Sequence, residues 1–365
     1  MKSAIFSFCL SVVCTTALHA RTWIVDNDIS RPADFRTAQA AHDGAAVGDT
    51  LLFVGSGTNY NTLDLSKRLN IEGPGYDLLL NGIASANTST ATFFNITISA
   101  GNPIVAGGGA SNSTFKGIVF ASMSIKGGVN GLMLDQVKGD SIGTTENSNS
   151  SDTTGANYHV TGLVVRRSTL YSLVILGGSA SVFNCRFIDN PRAAFGLIRN
   201  PAGTPTPNQA TNFKGASLAC SQSILGSLTD NNFSDSTPST AVFTNCICLG
   251  LAPVRSGRTV NGSVLFRDAA NYPGNRTTSS PTAYSEVFVG ASLPTEDSHF
   301  KLNTNPSNPA LGAGVGGGDA GMFAGAQPYK LSGIPARPRV TYLNSSGVVS
   351  DTVGLNVQAG GEVRP

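Results

Sequence analysis

The residues best suited to chemistry in this chain are basic and lie in its middle: Arg166, Arg167, Arg186, Arg192, Arg199 and Lys214, with Asp189 among them. A guanidinium is a planar fork that pairs with both oxygens of a carboxylate or sulfate, so the group suits an acidic ligand. Arg166, Arg186, Asp189, Arg192 and Arg199 are accordingly the candidate binding residues. A reaction there would need an arginine to neutralise a carboxylate while a base removes the proton beside it. Arg186, Tyr158 and His159 are the candidates for that work, with Tyr171 as a further base. The plainer reading is that these are solvated positions of strands. Elsewhere titratable residues are sparse: there is no Asp-Asp pair, and His42, His159 and His299 stand apart. Cys185, Cys220, Cys246 and Cys248 form no C-x-x-C pair and have no nearby His, so no metal is expected. They read as small buried hydrophobes, with a disulfide as the alternative in an oxidising compartment.

Composition limits what can position these groups. The 365 residues include Gly 42 and Pro 18, and only 13% are charged, about half the usual fraction. So many helix breakers argue against a coiled coil or bundle. With 40% hydrophobic residues and a net charge of +2, neither disorder nor nucleic-acid binding fits. What remains is an all-β chain whose surface is polar through amides and hydroxyls.

The first twenty residues read as a secretory signal. Lys2 precedes the apolar run from Ala4 to Val13, and small residues follow at Ala17 and Ala20. Cleavage is expected after Ala20, with Ala17 as the alternative. Val13 before Cys14 and Phe8 before Cys9 disfavour a lipid anchor. No later segment is long and apolar enough to span a membrane, so a secreted, periplasmic or cell-surface protein is expected.

A repeat runs through the middle. Leu134 to Val137, Val165 to Leu170, Val182 to Phe187, Cys220 to Leu225 and Phe243 to Cys248 share one pattern: apolar, any, amide or Arg, small or apolar, any, apolar. In register, the third position is Gln136, Arg167, Asn184, Gln222 and Asn245. The fourth is Val137, Ser168, Cys185, Ser223 and Cys246, at spacings of 31, 17, 38 and 23 residues. Phe115 to Phe120 is an earlier copy. Unequal spacings around a common unit predict stacked coils with loops inserted on one side. Apolar residues two apart face inward, and the polar third position marks a bend. Amides stacked at that bend are expected to hydrogen-bond from coil to coil as an asparagine ladder, with Arg167 partly used in it. A β-sandwich is the rival architecture.

These features resemble the right-handed parallel β-helix proteins of the pectin-lyase-like superfamily. The likeness lies in Ala38 to Val54 with Lys67 to Gly73, in the repeats, and in Asn308 to Gly314, Gly318 to Phe323 and Tyr329 to Pro335. It implies a signal at 1–20, a β-helix over 21–335 with a capping helix near Phe35 to Val47, and a tail or hairpin over 336–365. Many such proteins are lyases or hydrolases of acidic polysaccharides. The Gly-His-Gly and Arg-Ile-Lys motifs of the hydrolases are absent, and Asp135, Asp140, Asp189 and Asp230 are too scattered for the calcium site of the lyases. The expectation is therefore a non-catalytic glycan-binding or envelope scaffold, without a cofactor. The alternative is a lyase with an unfamiliar arginine site, which alone would call for calcium. A trimeric adhesin or spike is a third option, and the oligomeric state stays open. The tail contains no barrel and no terminal aromatic, so no translocator of its own is expected.

Overall fold

A computed structural model describes residues 20–83, 85, 87–101, 108–145, 160–175, 178–187, 195–197, 217–226, 240–250, 258–267, 272–290, 297–336, 338–345 and 357–363. The chain winds between two all-parallel sheets. The first has ten strands, ordered Thr22–Val25, Thr50–Phe53, Asn70–Glu72, Thr114–Lys116, Met133–Asp135, Val160–Arg166, Gly178–Phe183, Ser217–Ser221, Thr240–Thr244 and Arg258–Asn261. The second has eleven. It stacks Thr62–Leu65, Thr92–Ile98, Val119–Lys126, Lys138–Thr145, Thr169–Ile175, Arg186–Phe187, Ile224–Leu225, Ile247–Cys248, Val264–Leu265 and Arg276–Thr277, with Phe195–Leu197 paired to Thr169–Ile175. Successive parallel crossovers make this a right-handed parallel β-helix.

The repeat sits in the expected register. Leu134, Val165, Val182, Cys220 and Phe243 are successive partners in the first sheet and point into the core. The third positions form the corner between the sheets, and all are left-handed: Gln136 (φ 57), Arg167 (φ 50), Asn184 (φ 53), Gln222 (φ 49) and Asn245 (φ 56). Gly117 and Gly262 take the same conformation one coil outside this run.

The polar bonding at the corner differs from an amide-to-amide ladder. Gln136 Nε2 donates to Ile334 O at 3.1 Å, Asn184 Nδ2 to Met322 O and Ala324 O, and Asn245 Oδ1 accepts from Val315 N. All of these partners belong to the C-terminal segment. Coil-to-coil bonding falls instead to serines at the fourth position. Val137 N donates to Ser168 Oγ, Cys185 N to Ser223 Oγ and Cys246 N to Ser263 Oγ, at 3.0–3.2 Å. The left-handed corner takes these N–H groups out of the regular ladder, so a side-chain acceptor on the next coil is needed in a dry interior. Cys185, Cys220, Cys246 and Cys248 are all buried free thiols. Burial pushes Cys185 up to about 12, so it behaves as an inert core residue.

Ala38–Gly44 forms the short helix, capped by Thr37, which accepts from Ala40 N. It covers the edge of the second sheet through side chains: Gln39 Oε1 accepts from Asp64 N, and His42 Nε2 from Ser66 N. Open backbone donors that would invite another strand are thereby occupied. Past the last coil the chain turns back over the outside of the second sheet. Met322, Phe288, Phe300, Ala310 and Ala320 pack there against Ile224, Ile247 and Val264 as a second apolar core. Pro338–Ser345 and Val357–Val363 form a separate antiparallel pair. Among the described residues no helix is long and apolar enough to cross a membrane.

Ser223→Ala should cost about 1–3 kcal/mol, because the Cys185 N–H is left buried without an acceptor. Urea unfolding checks this; a midpoint equal to the parent's would show that the serine ladder contributes nothing.

Candidate functional site

In the first sheet, Glu72, Lys116, Asp135 and Arg166 are successive register partners, so opposite charges alternate from coil to coil. Asp135 is the buried member, at 1% exposure. Arg166 Nη2 meets its Oδ2 at 2.9 Å, Arg167 Nε donates to its Oδ1 at 2.8 Å, and Arg167 Nη2 reaches Oδ2. The left-handed backbone of Arg167 swings its side chain back along the stack and makes this double clamp. Arg166 also donates from Nη1 to Gln327 Oε1 of the returning segment. Two of the arginines suited to an acidic ligand thus neutralise one internal carboxylate.

Arg186 is placed differently. It opens a strand of the second sheet, stacked on Thr169 and beneath Ile224, whereas Arg166 closes a strand of the first sheet. The corner separates them. Arg186 is 4% exposed, with its guanidinium carbon 4.3 Å from the Phe300 ring centroid. Around it the returning segment builds a buried polar cluster. Tyr329 donates to Asp297 Oδ2 at 2.8 Å and accepts from Tyr76 at 2.8 Å and Thr169 at 3.1 Å, the one arrangement of hydroxyl protons that satisfies all three contacts. Ser332 N also donates to Asp297 Oδ2. Nearby, Lys138 Nζ bridges both oxygens of Asp77. Burial holds the Arg186 guanidinium below its ordinary value, and Tyr329, Asp297, Tyr76 and Asp77 oppose that. Such a group joins wrap to coil; a polymer chain in solvent does not reach it.

Tyr171 lies in the second sheet, half-buried. Tyr158, His159, Asp189, Arg192 and Arg199, with Lys214, lie outside the described residues. Among the described residues no three His, Cys, Asp or Glu side chains group as a metal site. The sequence reading missed Asp135 as the partner of both arginines, and Asp297 and Tyr329 as the cover of Arg186. The first was readable from the repeat itself, since Asp135 sits one coil below Arg166 in the aligned copies.

The strand pairing defines the class: a right-handed parallel β-helix with a returning C-terminal wrap, the fold implied by the pectin-lyase-like resemblance. No protein-family model and no curated protein matches the chain. Among solved structures, the crystal structure of pectate lyase Pel9A is similar at 12% identity and a TM-score of 0.33, over 83% of this chain and 96% of that one.

Asp135→Asn should destabilise the fold by about 2–4 kcal/mol, because two partly buried guanidinium groups lose their counter-charge. Arg166→Gln should cost less, since Arg167 retains both its bonds to Asp135. Equal losses in denaturant titrations would contradict the shared clamp. Alkali offers a second check. Burial raises the phenols of Tyr76 and Tyr329, and pushes Tyr60 up to about 12. The neutral forms belong to the folded state, so their contribution is complete below the ordinary phenol value of about 10 and disappears as pH climbs towards 12. Ultraviolet titration should show these phenols ionising only as the fold is lost; normal ionisation near 10 in the folded protein would refute it.

Proposed function

We propose that this protein is an exported, non-catalytic β-helix scaffold that binds glycan at the cell envelope. The observation that carries the reading is the engagement of its described arginines. Arg166 and Arg167 share Asp135, and Arg186 is covered by Phe300 beside Tyr329. A lyase would need such a group to face a polymer carboxylate with a base beside it. The leader-like residues 1–20 support export, and the hydroxyl- and amide-rich composition suits a protein that works among carbohydrates. The rival is a lyase acting on a uronate-containing glycan through Arg186 with Tyr158 or His159, and with Asp189, Arg192 and Arg199 as binding residues.

The mature chain should yield no reducing ends and no unsaturated products from pectate, alginate or glycosaminoglycans, with or without added calcium. Turnover that disappears in His159→Ala or Arg186→Ala would overturn the scaffold reading in favour of the lyase.

A further inference from the structure

At the N-terminal end of the stack, loops from three consecutive turns of the chain enclose an open cleft of about 580 Å³. That lies in the range of small-molecule sites, roughly 300–1,000 Å³. Its walls carry Asn27, Asp28 and Arg31 from the first loop, Ser56 and Thr58 from the second, and Asn87 from the third. A neighbouring cleft of about 400 Å³ shares Asn27 and Thr58 with it, so two pockets adjoin along one surface.

The lining is held in place. Asn27 Nδ2 donates to Thr58 O and Asn59 O, and Asn87 Nδ2 to Gly55 O at 2.8 Å, while its Oδ1 accepts from Ser89 N. Arg31 Nε meets Asp26 at 2.9 Å and Asp28 at 3.2 Å. Among the described residues Arg31 Nη1 has no partner, and the guanidinium side chain is 36% exposed. Asp28 is 42% exposed, and hydrogen bonds from the Ser30 hydroxyl and backbone keep its carboxyl below the usual range. The charges balance: Arg36 Nη1 donates to the Asp26 and Asp28 carbonyls, so Arg31 and Arg36 offset Asp26 and Asp28.

Two residues shape the space. Gly57 needs no glycine for its backbone, and a Cβ there would meet nothing within 4 Å; the missing side chain simply leaves the cleft open. Ile29, also in the lining, is 88% exposed and offers an apolar contact next to polar groups. Fixed amides, one carboxylate and one free guanidinium edge suit pairs of vicinal hydroxyls, and the isoleucine suits the C–H face of a sugar ring. The absence of net charge gives no preference for an acid.

We infer that this cleft is a binding site for an uncharged oligosaccharide, separate from the arginines of the central coils. The inference rests on the glycan-binding reading above and changes its ligand class from acidic to neutral. Calorimetry on the mature chain would use cellotetraose, xylotetraose and mannotetraose against tetragalacturonate. At least one neutral oligosaccharide should bind, with an affinity unchanged between low and high salt, since no charge pairing is involved. Gly57→Phe should weaken binding at least about tenfold by filling the cleft, with the melting temperature unchanged. Ile29→Asp, at a position too exposed to affect folding, should weaken it too. Neutral binding untouched by both substitutions would overturn the site while leaving the glycan reading intact. Binding of tetragalacturonate alone would overturn the ligand class. Binding of none of the four would sink the site and the glycan reading together.

Discussion

One backbone constraint governs this molecule: a single left-handed residue turns the chain from the first sheet to the second at each coil from Gly117 to Gly262. A left-handed conformation costs an L-residue about 1 kcal/mol or more, and Asn, Asp and Gly meet it most cheaply. That explains Asn184 and Asn245 and the glycines at Gly117 and Gly262. Gln136, Arg167 and Gln222 are the exceptions: the longer Gln136 amide reaches Ile334 O, and the backbone turn at Arg167 brings its guanidinium onto Asp135. The corner also detaches the following N–H from the sheet. Ser168, Ser223 and Ser263 stand at the fourth position and receive those groups, so the composition of two columns follows from one torsion angle.

The second consequence lies outside the coil. Lys138, Thr169, Arg186, Ile224, Ile247 and Val264 are successive partners along the outer face of the second sheet. That column runs from polar to apolar, and the returning segment matches it in the reverse direction. Ala320 and Met322 belong to the apolar core around Ile224, Ile247 and Val264, while Tyr329 bonds Thr169 and Ser332 bonds Asp297. Arg186 stands where the two regimes meet. Its guanidinium lies over the Phe300 ring on one side and feels Tyr329 and Asp297 on the other, which makes it a register pin for the wrap.

Much of the architecture was legible because a solenoid writes its geometry into sequence locally. Apolar positions two apart with a polar corner residue gave both the coil register and the inward set from Leu134 to Phe243. The bonding of the corner was not legible, because Gln136 meets Ile334 across nearly two hundred positions and no short pattern encodes that. The arginines misled for the same reason. Arg166, Arg167 and Arg186 look like a basic cluster when read along the chain, but the corner sends Arg166 and Arg186 into different sheets, and their counter-charges come from Asp135 and Asp297. The N-terminal cleft left no trace in a motif at all, since its walls come from three loops whose residues are ordinary turn formers.

The low charge of the chain acquires a physical meaning from these placements. Among the described ionisable side chains, several are used in pairs: Asp135 with two arginines, Asp77 with Lys138, Asp26 with Arg31. Compensation of this kind leaves short-range hydrogen bonding, and not long-range attraction, as the means of recognising a ligand. Hydrogen bonding from fixed amides and hydroxyls discriminates by the spacing of a ligand's own hydroxyls and is indifferent to ionic strength. On the proposed reading, a surface built this way would select among sugars by shape. A polyanion, whose capture depends on uncompensated cations, would find little to hold on these described coils.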